Sequence, residues 1–164
     1  MVLIRPAAEN DLPAILAIYN DIIVNTAAVY DYEPHTLEMR QTWFNTKKEQ
    51  GLPVFVAAEN GQLLGFSSLG PFRAWAAYKY SVENSVYVAD TARGKGIGKL
   101  LMPPIINAAK KLGMHTIIAG IDAGNGASIG LHKYFGFKEV AYFKQVGWKF
   151  DRWLDLKFLQ LILS

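Results

Sequence analysis

The chain has 164 residues, which suits one domain, and 51% of them are hydrophobic, so it can fill a core. Its 17 Lys and Arg residues against 14 Asp and Glu give a net charge of +3, which allows an anionic ligand and does not favour nucleic acid as a partner. Cysteine is absent, which excludes disulfides, thiolate metal sites and a cysteine nucleophile, and fits a reducing compartment.

Two further features bear on location and on metals. Glu9 and Asp11 interrupt the first twenty residues, and no apolar run reaches the roughly 18 residues that a membrane helix needs. We therefore expect a cytoplasmic protein that does not cross a membrane. His35, His115 and His132 are far apart in sequence and lack a carboxylate at metal-ligand spacing, so we expect no metal site.

Hydrophobic spacing in the first half of the chain predicts a strand, two helices and a hairpin. In chain order these elements cover residues 2–5, 9–23, 36–50 and 53–70. Asn10 or Asp11 is expected to cap the first helix, and Gly51 is expected to end the second. The pair Asn60-Gly61 is a typical hairpin turn.

The second half predicts alternating strands and helices after an aromatic loop at 71–80. Pro103 and Pro104 fall inside one predicted helix, where they should kink it or lie where missing N–H donors do little harm. The whole order predicts an α/β or α+β fold, with helices on the faces of a sheet. These later elements are strands at 81–90 and 115–121, helices at 97–112 and 125–135, and one or two strands within 137–163.

The stretch TARGKGIGKLL, residues 91–101, places three glycines and three cations just before a predicted helix. Backbone N–H groups at a helix start have no partner within the helix and carry partial positive charge. Glycines let that backbone approach a ligand closely, so the site suits a phosphate. The alternative is an ordinary strand-to-helix loop whose lysines face water.

Two familiar phosphate loops do not match this stretch. A nucleotide P-loop needs Ser or Thr after Gly98-Lys99, where this chain has Leu100. A dinucleotide loop needs a third glycine where this chain has Lys99. The pattern Arg93-x-x-Gly96-x-Gly98 instead resembles the pyrophosphate loop of the GNAT acetyltransferases, and NGASIGLHKYFGFKEV resembles the second signature of that family.

The resemblance narrows within the family and extends over almost the whole chain. The stretches GPFRAWAAYKYSVENSVYV and GWKFDRWLDLKFLQLIL resemble the phosphinothricin and methionine sulfoximine acetyltransferases. This implies a single GNAT domain over residues 1–164, with a central mixed, mostly antiparallel sheet of six to seven strands and about four flanking helices. It also implies acetyl transfer from acetyl-CoA to the α-amine of a small amino-acid analogue by direct attack in a ternary complex, and a homodimer.

The resemblance also implies a set of residues for acetyl-CoA. The strand Val86, Tyr87 and Val88 would offer backbone groups to the pantetheine arm, as an added strand edge does. Asn125 and Ser128 would contact the pantetheine from the helix predicted at 125–135. The residues expected to surround the pyrophosphate are Arg93, Gly94, Lys95, Gly96, Ile97, Gly98 and Lys99.

Two residues are expected to be catalytic. Glu83 corresponds to the carboxylate that serves as base in the phosphinothricin enzymes, and strand alternation would place Glu83, Ser85 and Tyr87 on one face. His132 stands where many GNAT enzymes have a tyrosine, a departure that the phosphinothricin group shares, and would support the departing thiolate. The alternatives are a surface glutamate and a histidine that packs or caps locally.

The substrate contacts implied by the resemblance fall in two short segments. Arg73 can bind a carboxylate through two hydrogen bonds, and neighbouring aromatic side chains could line a pocket. Those aromatics could equally pack in the core or in a dimer interface. The expected contact residues are Arg73, Ala74, Trp75, Glu83, Asn84 and Ser85.

Two other functions remain open from the sequence. A protein or peptide acetyltransferase would need an open groove for a peptide chain. The cluster of aromatic residues at 72–80 makes such a groove less expected. A non-catalytic acetyl-CoA-binding module would be favoured by loss of the base, yet Glu83 is present.

Overall fold

The computed structural model describes residues 1–163 as a seven-stranded sheet with four α-helices on its faces, which confirms the expected class. The strands are β1 (Leu3–Pro6), β2 (Val54–Glu59), β3 (Gln62–Pro71), β4 (Ser81–Val88), β5 (Thr116–Asp122), β6 (Lys138–Lys149) and β7 (Arg152–Ile162). The helices are α1 (Leu12–Asn25), α2 (Leu37–Gln50), α3 (Ile97–Lys111) and α4 (Gly126–Tyr134).

The sheet has the strand order β1-β2-β3-β4-β5-β7-β6 and is mostly antiparallel. Only the β4–β5 pair is parallel among the strands described, and α3 supplies the crossover that a parallel pair requires. The C-terminal segment forms two long strands, β6 and β7. They are joined at Phe150 and Asp151, both with positive φ, of 54° and 55°.

The parallel pairing of β4 and β5 is short, so the two strands separate and leave a gap in the sheet. Ladder pairing between β4 and β5 runs only from Ser81–Thr116 to Glu83–Ile118. Beyond that point β5 continues beside β7, through seven residue pairs in all. The edge of β4 from Asn84 to Val88 therefore parts from β5, and its backbone faces a cleft.

Two hydrophobic layers hold the helices on opposite faces. On one face, α1 contributes Leu12, Ile15 and Ile22, which pack with Phe44 of α2 and Phe66 of β3. On the other face, the buried residues of α3 recur at helical spacing and meet the apolar side chains of the sheet. These residues of α3 are Ile97, Leu101, Met102, Ile105 and Ala109.

The expected position of the α1 cap is confirmed, but the residue there makes no capping bond. Asp11 stands at the N-cap position, but its side chain makes no capping bond. Its carboxylate accepts two hydrogen bonds from Arg5, at 2.7 and 2.9 Å, and one from the N–H of Ala8 at 2.8 Å. This bidentate ion pair with Arg5 lowers the pKa of Asp11 and occupies the carboxylate, so it does not cap α1.

Helix α3 continues through Pro103 and Pro104 to Lys111. The two missing N–H groups leave the carbonyls of Lys99 and Leu100 without their intrahelical donors. Both of those residues are exposed, so water can bind the free carbonyls. The second of the two expectations for these prolines therefore fits the structure.

One buried lysine fastens the segment after α1. The Nζ of Lys149, at the end of β6, donates to the carbonyls of Ile23 at 2.6 Å and of Thr26 and Val29 at 2.8 Å. Lys149 is only 5% exposed, so these three bonds are shielded from water. They compensate the ammonium for lost hydration and hold the end of α1 and the following segment against the sheet.

We expect Lys149→Met to lower the free energy of unfolding by about 2–3 kcal/mol, because a charged donor to three carbonyls is lost. Urea denaturation followed by circular dichroism measures the change. The control is Lys138→Met, an exposed lysine on the same strand, which should change stability by less than about 0.5 kcal/mol. Equal effects of the two substitutions would contradict the anchoring role.

Candidate active site

A cleft of about 870 Å³ lies where β4 parts from β5. Its volume is in the upper part of the range for small-molecule sites, roughly 300–1,000 Å³. The edge of β4, the turn before α3, the start of α4 and the segment after α1 form its walls. The residues of the turn and of α3 that line it are Ala92, Arg93, Gly94, Gly96, Ile97, Gly98 and Lys99.

The glycine turn has the backbone of a ligand cradle. Gly94 and Gly96 have φ of +75° and +77°, which other residues adopt only with strain, and the space where a Cβ would stand is open at both. Gly96 caps α3, so the N–H groups of Ile97 to Lys99 have no partner within the helix. Exposed Arg93 and Lys99 add positive charge, and these features fit a diphosphate.

The structure brings the predicted cofactor residues together at this cleft, with one exception. Val86, Tyr87 and Val88 line it from the edge of β4. Asn125 and Ser128 line it from α4, where Asn125 Oδ1 accepts the N–H of Ser128 at 3.2 Å as the helix cap. Lys95 is exposed and does not line the cleft.

Glu83 stands at the point where the two parallel strands separate. It is the last residue of β4 paired to β5, and its Oε1 reaches over Gly120, where an added Cβ would lie 3.3 Å away. Burial raises the pKa of this carboxyl above its ordinary value, and the nearby Lys47 ammonium opposes that rise. A carboxyl in this position can accept a proton more readily than a surface glutamate can.

Successive residues of β4 face opposite sides of the sheet, as the alternation predicts. Ser85 and Tyr87 face α1 and α2, where they meet Tyr19 and Phe66. Asn84 faces α3 and α4 and is buried, with its Nδ2 3.0 Å from His132 Nε2. The predicted substrate contacts Asn84 and Ser85 therefore lie on opposite faces.

His132 is buried, and its bonds fix its tautomer. Nδ1 donates to the carbonyl of Ser128 at 2.7 Å, because a carbonyl can only accept. Nε2 of the neutral ring then accepts from the Asn84 amide, whose Oδ1 is left without a hydrogen-bond partner within residues 1–163. Burial lowers the pKa of His132, so the neutral ring is the stable form near pH 7.

The segment Arg73 to Trp75 lies apart from this centre. All three residues are exposed, and none lines the cleft. The Arg73 guanidinium lies over the rings of Trp75, at 5.3 Å, and Tyr78, at 5.9 Å. Phe72 packs on Phe158, which in turn lies against Gly120, the residue over which the Glu83 carboxyl reaches.

Sequence reasoning missed several residues at the site. Thr26, Ala27 and Ala28 line the cleft from an irregular segment in which no motif marks them. Asp122, also in the lining, accepts a hydrogen bond from the Tyr30 hydroxyl at 2.6 Å. These residues meet only through tertiary folding, since they come from separate parts of the chain.

Two missed cations did leave a signal in the sequence. Arg40 and Lys47 recur with Phe44 at spacings of four and three residues, so they share the buried stripe of α2. Arg40 is 3% exposed, and burial, with the neighbouring Arg40, lowers the pKa of Lys47 to about 8. A cation at a core position of a helix is unusual and could have drawn notice.

Comparisons with known proteins agree with this geometry. A profile described as "Acetyltransferase (GNAT) domain" matches residues 4–157. The chain is 48% identical over 162 residues to an L-methionine sulfoximine/L-methionine sulfone acetyltransferase of Pseudomonas aeruginosa, covering 98% of this chain and 94% of the relative. It is 40% identical to a phosphinothricin N-acetyltransferase of Streptomyces coelicolor, with 94% and 92% covered.

Among solved structures, a putative acetyltransferase of Salmonella typhimurium with its cofactor acetyl-CoA superimposes with a TM-score of 0.97. It is 41% identical, with 99% of this chain and 94% of that chain covered. Within residues 1–163, no group of three or more His, Asp or Glu side chains is placed to hold a metal ion. None of the helices described there has the length and apolar character to span a bilayer.

We expect Gly96→Ala to weaken coenzyme A binding about 5- to 30-fold. A Cβ at φ of +77° costs about 1–2 kcal/mol, so the free turn relaxes to another conformation and must be strained again to bind the ligand. Isothermal titration calorimetry measures the dissociation constant. The matched control is Gly113→Ala, which has φ of +74° and equally open surroundings but lies beyond the far end of α3. A loss of affinity shared by both variants would argue against a ligand site at this turn.

Proposed function

Because the chain belongs to the GNAT acetyltransferase family, we propose that it moves the acetyl group of acetyl-CoA to the α-amine of a small amino acid with a polar head. Methionine sulfone, methionine sulfoximine and phosphinothricin are the substrate types, given the names of its relatives. The observation that carries the proposal is Glu83, a carboxyl of raised pKa at the residue where β4 leaves β5, three residues before the part of β4 that lines the cleft.

In this proposal the cleft holds acetyl-CoA, which supplies the thioester. The N–H groups at the start of α3 and the backbone of Gly94 and Gly96 bind the diphosphate, and Arg93 and Lys99 complement its charge. The free edge of β4 at Val86 to Val88 bonds the pantetheine amides as a neighbouring strand would. Asn125 and Ser128 close the opposite wall.

Glu83 acts as the general base. An α-amine is mostly protonated near pH 7 and attacks a thioester only when neutral, so its proton must be removed. The carboxylate of Glu83 takes this proton directly or through one water. The new N–C bond forms as the C–S bond of the thioester breaks. The attacking nitrogen then loses a second proton, and the departing thiolate gains one, with water carrying the proton between them.

We propose that His132 supports the departure of this thiolate through Asn84. The neutral ring holds its proton at Nδ1, so Nε2 carries none to give. Nε2 instead accepts one N–H of the Asn84 amide, and the second N–H of that amide, which makes only a 3.7 Å contact with Met102 Sδ, is the donor offered to the thiolate. Direct protonation by His132 would require Nε2 to take up a proton first, which burial disfavours.

The remaining substrate contacts and the assembly complete the proposal. Arg73, Ala74 and Trp75 contact the substrate at its outer end, and Ser85 contacts it on the α1–α2 face. A homodimer is supported by large apolar side chains on the β6–β7 hairpin, where Trp148 and Trp153 are 45% and 57% exposed. The cytoplasm is the proposed location, because acetyl-CoA and a reducing environment are found there.

A panel of amines tests the activity. We expect release of free thiol when the protein is mixed with acetyl-CoA and methionine sulfone, methionine sulfoximine or phosphinothricin. Glu83→Gln should lower kcat by about 100- to 10,000-fold, because the base is lost. Glu49→Gln, an exposed glutamate on α2, is the control and should leave kcat unchanged. Absence of thiol release with every amine tested would refute the proposal.

The pH dependence of kcat/KM tests how the neighbouring Lys47 charge affects the pKa of Glu83. Only the carboxylate form accepts a proton, so kcat/KM should fall as the pH drops through a Glu83 pKa above 4.5. Lys47 holds this pKa down, and Lys47→Met should therefore move the acidic limb of the profile to higher pH. Lys48→Met, an exposed neighbour, should leave the limb in place. A shift to lower pH in the Lys47 variant would contradict the assignment.

A further inference from the structure

A second, smaller cavity lies on the other side of β4 from α3. It has a volume of about 210 Å³ and sits between the sheet and helices α1 and α2. Ser68, Ser85 and Tyr87 line it from β3 and β4, and Arg40 and Tyr19 line it from the helices. No feature of the acetyl-CoA cleft accounts for this cavity, although the two share Tyr87.

Arg40 is a buried cation without an anionic partner in the described chain. Arg40 is only 3% exposed, and it takes part in none of the ion pairs found within residues 1–163. Its Nε has no hydrogen-bond partner among those residues. The guanidinium carbon lies over the rings of Tyr19, at 4.2 Å, and Trp43, at 4.6 Å.

The ring contacts explain how the guanidinium is held in place, but they leave its N–H groups without an anionic acceptor. Aromatic faces attract a cation, yet they do not accept the in-plane hydrogen bonds that a guanidinium offers along its edge. A buried charge without an anion is costly, and a buried pair of arginine and carboxylate is bidentate where its geometry allows. Because Arg40 lines the cavity, a carboxylate that arrives from outside the chain can meet its guanidinium there.

The cavity borders the same strand, β4, that carries Glu83. Ser85 lines the cavity and shares a face of β4 with Glu83, two residues away, which corresponds to about 7 Å along a strand. Lys47 interacts electrostatically with both Arg40 and Glu83, and so it places the two in one neighbourhood. An α-amino acid carries its amine and its carboxylate on one carbon, so a single molecule in this neighbourhood can present the amine to Glu83 and the carboxylate to Arg40.

We propose that Arg40 binds the α-carboxylate of the substrate in this cavity, while the α-amine of the same molecule lies at Glu83. The inference rests on the proposed function, because it assumes an amino-acid substrate. The hydroxyl groups of Ser68 and Ser85 line the same cavity and can donate to the second carboxylate oxygen. The expectation that Arg73 holds the carboxylate is replaced, and Arg73 is left to contact the polar head at the exposed end.

A substrate analogue that lacks the carboxylate distinguishes a role of Arg40 in substrate recognition from a role in folding. We would measure kcat/KM for L-methionine sulfone and for its decarboxylated counterpart, methylsulfonylpropylamine, with the wild type, Arg40→Met and Arg73→Met. Arg40→Met should lower kcat/KM for the amino acid about 10- to 100-fold, the usual cost of a lost charged hydrogen bond. Its kcat/KM for the decarboxylated amine should change less than about threefold, which also shows that the variant is folded.

Arg73→Met should lower kcat/KM for both compounds alike, since both keep the sulfone head. Equal losses for the two compounds with Arg40→Met would show that Arg40 only supports the fold, and would overturn the proposal. So would a selective loss for the amino acid with Arg73→Met but not with Arg40→Met.

A binding measurement distinguishes failure of this inference from failure of the proposed function. N-acetyl-L-methionine sulfone keeps the carboxylate, and its methyl ester does not. Calorimetry should show that the wild type binds the acid more tightly than the ester and that Arg40→Met removes this preference. If the wild type releases no thiol but shows this preference, the carboxylate site stands and the acetyl-transfer proposal falls. If neither compound binds in an Arg40-dependent way, the carboxylate site is refuted.

Discussion

The separation of β4 from β5 after three residue pairs is the constraint on which the rest of the site depends. A continuous parallel pair would satisfy the backbone of Val86 to Val88 and close the cleft. Because β5 is held along its length by β7 instead, the edge of β4 is left with hydrogen-bonding groups that a ligand can use. The turn before α3 begins at the end of this edge, so strand and helix donors face one cleft.

The charges near Glu83 belong to the face of the sheet that α1 and α2 cover. Glu83, Lys47 and Arg40 are partly or wholly buried there, and each changes the electrostatic environment of another. Burial strengthens such interactions because less water screens them. The opposite face carries the neutral pair Asn84 and His132. The charged side chains near the start of the cleft thus lie on the α1–α2 side of the sheet, and the neutral pair lies on the α3–α4 side.

The accuracy of the sequence-based predictions followed the range of the interactions involved. The helix boundaries of α2 and α3 and the hairpin at Asn60 and Gly61 depend on neighbours within a few residues, and they were close to the structure. The side-chain bonds of Asp11 were not predicted, because its partner Arg5 lies on a strand that the helix meets only in the folded chain. Arg40 shares the stripe of Phe44 at helical spacing, which is a local signal, but the cavity that it lines forms only when α2 packs on the sheet.

The sequence by itself determined the family and the glycine turn. It also determined which residues of β4 share a face, because these properties reside in residue types at fixed spacings. Only the tertiary structure decided that β4 and β5 part at Glu83 and that His132 gives its Nε2 to Asn84. It likewise decided that Arg40 faces a cavity without a carboxylate among the described residues. The physical reason is that hydrogen-bond partners and burial arise between segments far apart in the chain, and spacing along one segment cannot specify them.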